Sequence, residues 1–510
     1  MNKTTRTITY ITVIAVVSKL FGFVREMVIA AYYGATYQTD AFNMALTIIG
    51  LSTAILSMGV ATVVVPMYNH RLVQSGKSVA DHFASNILSI TSLVYGILSC
   101  LGILFAPILV RLLAPSFDTQ TAALTLQLLR ILFIFSIATN AVNFLGALSR
   151  SNNRFLVPSL VGFPLTISMI LFIVMFSHSI GIYAIVVGYI AAIVVQAVMI
   201  GISLRRVFRF KPRLDFTNGD VREIAVLSIP IFISIGVDQL NIVIDRMLAS
   251  GLAEGSITAI VYSMKLRDLP HGIITASILT VIFPLFSQHA AKGEIERVKS
   301  LAVKSMSALF AVMAPVTVIC VYYSVEIVKI VYERGAFTSE QTTMTAGILV
   351  YMIPGLFFLG GNGVLNNAFY GMQDTKTPRL GAVLGVGSNI VLNVILVRYM
   401  GASGLALATT LSFMLNYAVL LMFFRRKCGA FGGMAYARNI MKCVGGVTGM
   451  IPIFVLMELV RVRVPLLIHF AVSVSVSLAA YAMLLYVLRV ELFMEAMERA
   501  KSFVKTRFDI

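Results

Sequence analysis

Apolar positions along this chain do not alternate and do not form narrow stripes; they come in long blocks. Runs of about 20 residues, the length a helix needs to cross a hydrocarbon core of about 30 Å, recur from one end to the other. They are read as spans at 8–32, 39–66, 84–110, 122–148, 155–177, 181–204, 223–248, 256–284, 300–323, 341–370, 378–398, 402–424, 439–460 and 464–488. Clusters of Gly, Pro, Asn and charge separate them. The first run is too long for a cleavable signal and lacks a small-residue cleavage site, so it reads as the first span.

Composition turns that pattern into a fold class. Of the 510 residues, 58% are hydrophobic and 12% charged, and mean hydropathy is +0.91. A soluble domain carries about 25% charged residues, so this chain has too little polar surface to cover a water-soluble globule. With lipid as solvent, every backbone group must be satisfied inside its own segment, which favours helices. The expectation is an all-α polytopic membrane protein of about fourteen transmembrane helices.

The net charge of +18 would suggest nucleic acid in a soluble protein. With the N-terminus placed in the cytoplasm, only Arg111, Arg246, Lys329, Arg334, Arg398, Arg461 and Arg463 fall in external segments, and the great majority of the 40 Lys and Arg fall inside. That asymmetry orients both termini to the cytoplasm and accounts for the charge without nucleic acid. The four cysteines (Cys100, Cys320, Cys428 and Cys443) show no metal spacing. The six histidines are dispersed, and no nucleophile–base pair or phosphate-binding glycine loop is evident. The chain therefore reads as a transporter and not as an enzyme.

An internal repeat organises the spans. TVVVPMY at 62–68 matches TVIFPLF at 280–286, RFLVP at 154–158 matches DTKTP at 374–378, and the frame of Gly181 and Gln196 recurs at Gly401 and Asn416, all about 220 residues apart. A unit of six helices is even, so both copies cross in the same direction, a known transporter plan. Expected domains are a six-helix bundle at 1–220, its repeat at 221–437, two additional helices at 438–490 and a cytoplasmic tail at 491–510. The basic stretch RRVFRFKPRLDFTNGDVR at 205–222 is the seam. PGLFFLGGNG at 354–363 makes the tenth span deformable.

Charge at membrane depth is expensive, about 2.5–3.5 kcal/mol on insertion scales, so such residues usually face a wet cavity or a partner. Lys19, Arg25, Arg130, Lys265 and Arg267 are the cations within spans. Lys19, Gly22 and Glu26 share one helical face. The corresponding part of the second repeat carries Lys265, Arg267 and Asp268, and Asp40 opens the second span. Lining a cavity between bundles, Lys19, Arg25 and Lys265 would grip an anionic, phosphate-bearing ligand, with Glu26 and Asp268 pairing them when it is empty. Intramembrane salt bridges and snorkelling are the other reading. Arg130 reads as structural, and Arg246 as an interface anchor near its helix end. A second, mostly uncharged set joins Asp238 to Asn389, Asn393 and Thr409. Those oxygens suit Na⁺ as a coupling ion, and interhelical hydrogen bonding is the alternative.

Several stretches resemble the MurJ (MviN) lipid II flippases, within the superfamily of multidrug and oligosaccharidyl-lipid exporters. They are SKLFGFVREMVIAAYYGATYQTDAF at 18–42, LAEGSITAIVYSMKLRDLPHGI at 252–273, TVIFPLFSQHAA at 280–291, VYERGAF at 331–337, FYGMQDTKTP at 369–378 and GLALATTLS at 404–412. The resemblance implies fourteen spans and the movement of undecaprenyl-pyrophosphate-linked disaccharide-pentapeptide from inner to outer leaflet, feeding peptidoglycan synthesis. It places cavity cations at Lys19, Arg25 and Lys265, acidic partners at Glu26, Asp40 and Asp268, and a sodium site at Asp238, Asn389, Asn393 and Thr409. It makes the last two helices a groove for the lipid tail, with membrane lipids and cell-wall synthesis proteins as partners. The chain departs from the family in having Lys at 19 and 265 where Arg is common. It also has no Arg in LSTAILSMG at 51–59, and a neutral Asn393 at an acidic position. A flippase for another polyprenyl-linked glycan, a cation-coupled antiporter of the superfamily and a membrane scaffold for envelope synthesis are the alternatives.

Overall fold

In the computed structural model the backbone is described for residues 3–217, 219–429, 433–460, 465–491, 493–495 and 497–498, and side chains within helices are not described at 3–12, 15, 55–61, 230, 233–234, 237–238, 433–437 and 460. Arg461, Arg463 and most of the expected cytoplasmic tail lie outside these residues. Every described element is a helix, and the chain divides into two compact units, Met1–Val261 with Glu333–Gln341 and Tyr262–Tyr332 with Thr342–Ile510.

The first unit opens with α1 (Lys3–Tyr33), α2 (Tyr37–Gln74) and α3 (Gly76–Leu113). Then come α4 (Thr119–Ile134), α5 (Ser136–Ser151), a short α6 (Leu156–Leu160), α7 (Gly162–Ile180), α8 (Tyr183–Leu204) and α9 (Gly219–Ala249). α10 (Ser256–Ala291) follows, then α11 (Ile295–Tyr322), α12 (Ser324–Tyr332), α13 (Ser339–Met352), α14 (Gly355–Gly371), α15 (Lys376–Cys428), α16 (Gly433–Thr448), α17 (Ile451–Val460) and α18 (Leu466–Val487).

Local sequence sets the ends. Thr36 and Thr39 form a reciprocal cap at the start of α2, satisfying two donors that a helix end otherwise leaves open. Asp118 caps α4 by accepting from the backbone of Gln120 and Thr121. Arg425, Arg426 and Lys427 occupy the last turn of α15, where cations complement the helix dipole.

The span at 122–148 is broken: α4 and α5 meet at 47°, and α13 and α14, at the matching place in the second repeat, meet at 42°. The second break falls at Ile353–Pro354, where a proline cannot donate into the preceding turn. Eight described helices are long and apolar enough to cross a membrane, or ten when each bent pair counts as one span. α1, α2 and α9 exceed thirty residues but do not join that set over their described residues. The expectation of fourteen is therefore supported only to eight to ten.

The repeat is visible in backbone geometry. Gly181 (φ 56°, ψ −138°) and Gly401 (φ 55°, ψ −132°) share a conformation open essentially to glycine alone. Gly401 separates the two expected spans inside α15. Asn153 and Gln373 are likewise paired in the left-handed region, at φ 57° and 59°. The cores match as well. Tyr68, Leu148 and Leu204 are buried in the first unit, and Phe286, Ala368 and Phe424 take the equivalent places in the second.

α16, α17 and α18, outside the repeat, pack within the second unit. Tyr322 stacks on Phe454 at 4.6 Å, and the Tyr481 hydroxyl donates to the Ala311 carbonyl at 2.9 Å.

Gly181→Ala and Gly401→Ala should each cost about 1–3 kcal/mol, read as a lowered melting temperature in detergent. Gly387→Ala, in a helical turn with nothing within 4 Å of the added methyl, should be neutral or mildly stabilising. Equal behaviour of all three would remove the argument that the shared dihedrals matter.

Candidate functional site

In the first unit, α1 carries the candidate cations on a face that is only partly covered. Lys19 is exposed and makes no ion pair among the described residues. Arg25 is half-buried, and its terminal nitrogen donates to the Glu26 carboxylate at 2.6 Å, with Glu26 itself 8% exposed. Arg25 Nε is buried and has no hydrogen-bond partner among the described residues. The Arg25 guanidinium, paired with Glu26 through one arm, keeps further N–H groups that can donate to an anionic oxygen.

Asp40 takes a different position from the one the sequence suggested. It sits in the first turn of α2, 4% exposed. One carboxylate oxygen accepts from the Gly255 backbone at 2.8 Å, and the other from the Thr258 backbone at 2.8 Å and the Thr258 hydroxyl at 2.6 Å. Asp40 thus caps the N-terminus of α10, where orphan N–H groups and the helix dipole favour a carboxylate. Both carboxylate oxygens are engaged by the start of α10.

Three of the family-like stretches converge around this cap. Ala336 N donates to Ala31 O at 2.8 Å, Gln341 exchanges two hydrogen bonds with the Ala35 backbone at 2.9 and 3.0 Å, and Tyr37 N donates to Glu254 at 2.9 Å. Gly255 and Gly335 allow the approach: a methyl on either would strike the carbonyl of Ala35 or Ala31. Arg246, expected as an interface anchor, is instead 5% exposed and donates to the Ile257 carbonyl at 3.3 Å.

In the second unit, Lys265 is exposed on α10. Asp268, 49% exposed in its side chain, pairs with Arg267 at 2.7 Å, and not with Lys265 as expected. Arg267 is buried and its guanidinium lies over Phe413, 5.8 Å from the ring centre. This cation is held by an acid and an aromatic face, which fits the structural reading that the sequence left open.

Asn389, Asn393 and Thr409 do come together across the break of α15. Asn393 Nδ2 donates to Asn389 Oδ1 at 2.7 Å, and Asn389 Nδ2 to Thr409 Oγ1 at 3.4 Å. The side chain of Asp238 lies outside the described residues. No group of three or more His, Cys, Asp or Glu that could hold a metal occurs among the described residues.

The DTKTP motif has a structural role. Asp374 accepts from the Lys376 and Thr377 backbone at 3.1 Å each, from the Thr377 hydroxyl at 3.0 Å and from Lys427 at 2.8 Å. Burial pushes its carboxyl up, but the bonds from Lys427 and Thr377 outweigh that and hold it down at about 2.

An all-helical chain with several helices long and apolar enough to cross a membrane, and with cations on α1 and α10, defines a multi-pass membrane protein of the transporter class. A family model described as "Lipid II flippase MurJ" matches residues 29–474, and the chain belongs to that family. The "Probable lipid II flippase MurJ" of Rickettsia prowazekii is 28% identical over 411 residues, covering 79% of this chain and 80% of the relative. That of Rhizobium tropici is 26% identical, covering 80% and 79%. A solved "Lipid II flippase MurJ, inward closed conformation" superposes with a TM-score of 0.81 at 22% identity, over 95% of this chain and 99% of that one. An inward-facing multidrug transporter of the MATE family gives 0.67 at 14% identity, over 82% and 96%. These likenesses establish the fold.

Asp40→Ala removes the cap of α10 and should cost about 1–2 kcal/mol, measured as a shift in thermal unfolding. Thr258→Val should reproduce part of it, and an unchanged melting temperature in both would show that the cap carries no stability.

Asp374 has an ordinary value of 3.8 and is held at about 2, so the stability it adds is fully present above pH about 4 and is lost as pH falls towards 2. Wild type should lose more stability than Asp374→Asn across that window.

Proposed function

We propose that this chain is a lipid II flippase of the inner membrane, moving a pyrophosphate-linked glycan outward by alternating access. Lys19, Arg25 and Lys265 then grip the pyrophosphate. The observation that carries the reading is the pair of cations on α1, with Lys19 exposed and Arg25 Nε without a hydrogen-bond partner among the described residues. A membrane helix keeps such groups only where they meet water or a ligand.

Glu26 holds Arg25 in orientation, and the same charge lowers its attraction for chance anions. Lys at 19 and 265 supplies point charges where an Arg would supply a planar fork, so the grip on each phosphate rests mainly on Arg25. The lipid tail stays in the membrane beside α16, α17 and α18, which reach beyond the repeat. Both termini face the cytoplasm in this reading, on the distribution of Lys and Arg.

An inside-negative potential, about 2.3 kcal/mol per elementary charge per 100 mV, drives an anionic headgroup outward. Asn389, Asn393 and Thr409, joined by hydrogen bonds, supply amide and hydroxyl oxygens for a coupling Na⁺ in this reading, with interhelical hydrogen bonding as the alternative role.

Complementation of a flippase-depleted bacterium tests the proposal. Wild type should restore growth, Arg25→Ala should abolish rescue at equal membrane abundance, and Lys19→Arg should be tolerated. Rescue by Arg25→Ala would overturn the grip, and failure of wild type would overturn the substrate.

A further inference from the structure

The long basic segment before α9 is not a free loop. The Lys211 and Arg213 backbone amides donate to Ser85 and Ser89 of α3, at 3.2 and 3.3 Å. Asn86 exchanges two hydrogen bonds with the Asp215 backbone, at 2.9 and 2.8 Å. Polar residues inside an otherwise apolar span thus fix the segment along the first turns of α3.

This fixation creates a pocket of about 270 Å³ walled by Lys77, Asp81, His82, Ser85, Arg209 and Lys211. Three permanent cations face one carboxylate there, and that carboxylate also accepts from the Tyr68 hydroxyl at 3.3 Å. Lys77 lies in the first turn of α3. None of these residues belongs to the set on α1 and α10.

We propose that this pocket binds the phosphodiester headgroup of an anionic phospholipid, at the cytoplasmic surface of the membrane. Charge selects the phosphate: bidentate Arg209 and the two lysines match its oxygens. The neighbouring side chains select a lipid over a soluble anion. Phe210, Leu214 and Phe216 are 48%, 56% and 57% exposed, interleaved with Arg209, Lys211 and Arg213. Aromatic and aliphatic groups beside cations are the composition of a segment lying in the headgroup region. The bound lipid would clamp the segment joining α8 to α9, so occupancy couples membrane composition to the connection between the repeats.

The test is lipid retention by the full-length protein in nanodiscs of phosphatidylcholine doped with phosphatidylglycerol, read by native mass spectrometry. A triple variant, Lys77→Gln with Arg209→Gln and Lys211→Gln, should bind phosphatidylglycerol about a hundredfold more weakly, from about fivefold per cation removed. A charge-matched control, Arg205→Gln with Arg206→Gln and Arg213→Gln, should keep most of the binding. Equal loss in both would reduce the effect to surface charge and overturn the pocket. If the triple variant unfolds, Arg209→Gln alone, at an exposed position, should still show a fivefold loss, and none would overturn the proposal. Soluble glycerol phosphate that competes at matched concentration would overturn the lipid assignment in favour of a free anion. The readout is independent of flipping, so this proposal and the transport reading can fail separately.

Discussion

A polar group at membrane depth has no solvent to fall back on, and this constraint orders the structure. Many charged or amide side chains within the described helices have a partner from the protein. Asp40 receives three hydrogen bonds from the start of α10, and Arg246 reaches a carbonyl. Arg267 is clamped between Asp268 and Phe413, and Asn393 leans on Asn389. Lys19 makes no ion pair among the described residues, and the buried Arg25 Nε shares with the side-chain oxygens of Asn362, Asn366 and Asn416 the lack of a hydrogen-bond partner among them. In the proposed reading, the paired charges belong to the scaffold, and Lys19 and Arg25 meet the ligand.

The repeat explains why the scaffold can be so economical. The same bend occurs at α4–α5 and α13–α14, and the same glycine conformation at Gly181 and Gly401. The same core positions are filled by Tyr68 and Phe286, Leu148 and Ala368, Leu204 and Phe424. The residues differ while the geometry persists, which is how packing behaves when volume can be redistributed among neighbours. Backbone dihedrals outside the reach of L-side chains permit no such exchange, and glycine has been kept at both sites.

Much of this was legible in the sequence because lipid makes hydropathy a direct report of structure. Span positions, the repeat spacing and the break at Gly401 all follow from blocks of apolar residues and their punctuation. Pairings between distant residues did not follow. Asp40 and Thr258 both look like ordinary polar residues near a helix end, and nothing local says that one caps the other. Asp268 was assigned to Lys265 by proximity along the helix, whereas its immediate neighbour Arg267 takes it, with Phe413 supplying the second face. The basic segment at 205–222 reads as the seam between the repeats, and Ser85, Asn86 and Ser89, conspicuous inside an apolar run, are the signal that α3 holds it. Fourteen spans were read from hydropathy, and the described helices support eight to ten, because charged or undescribed stretches interrupt the rest.

The convergence around Asp40 has a mechanical meaning. The turn after α1, the start of α10 and the segment at 333–341 touch through a backbone bond, close glycine approaches and the side chains of Asp40, Glu254 and Gln341. Such a joint cannot stretch by degrees. Losing the Ala336–Ala31 bond removes the support of the Gln341 pair beside it, and the cap at Asp40 loses its alignment with both. This end of the unit behaves as a snap fastener, engaged or released as one event, and any movement passing through it is cooperative.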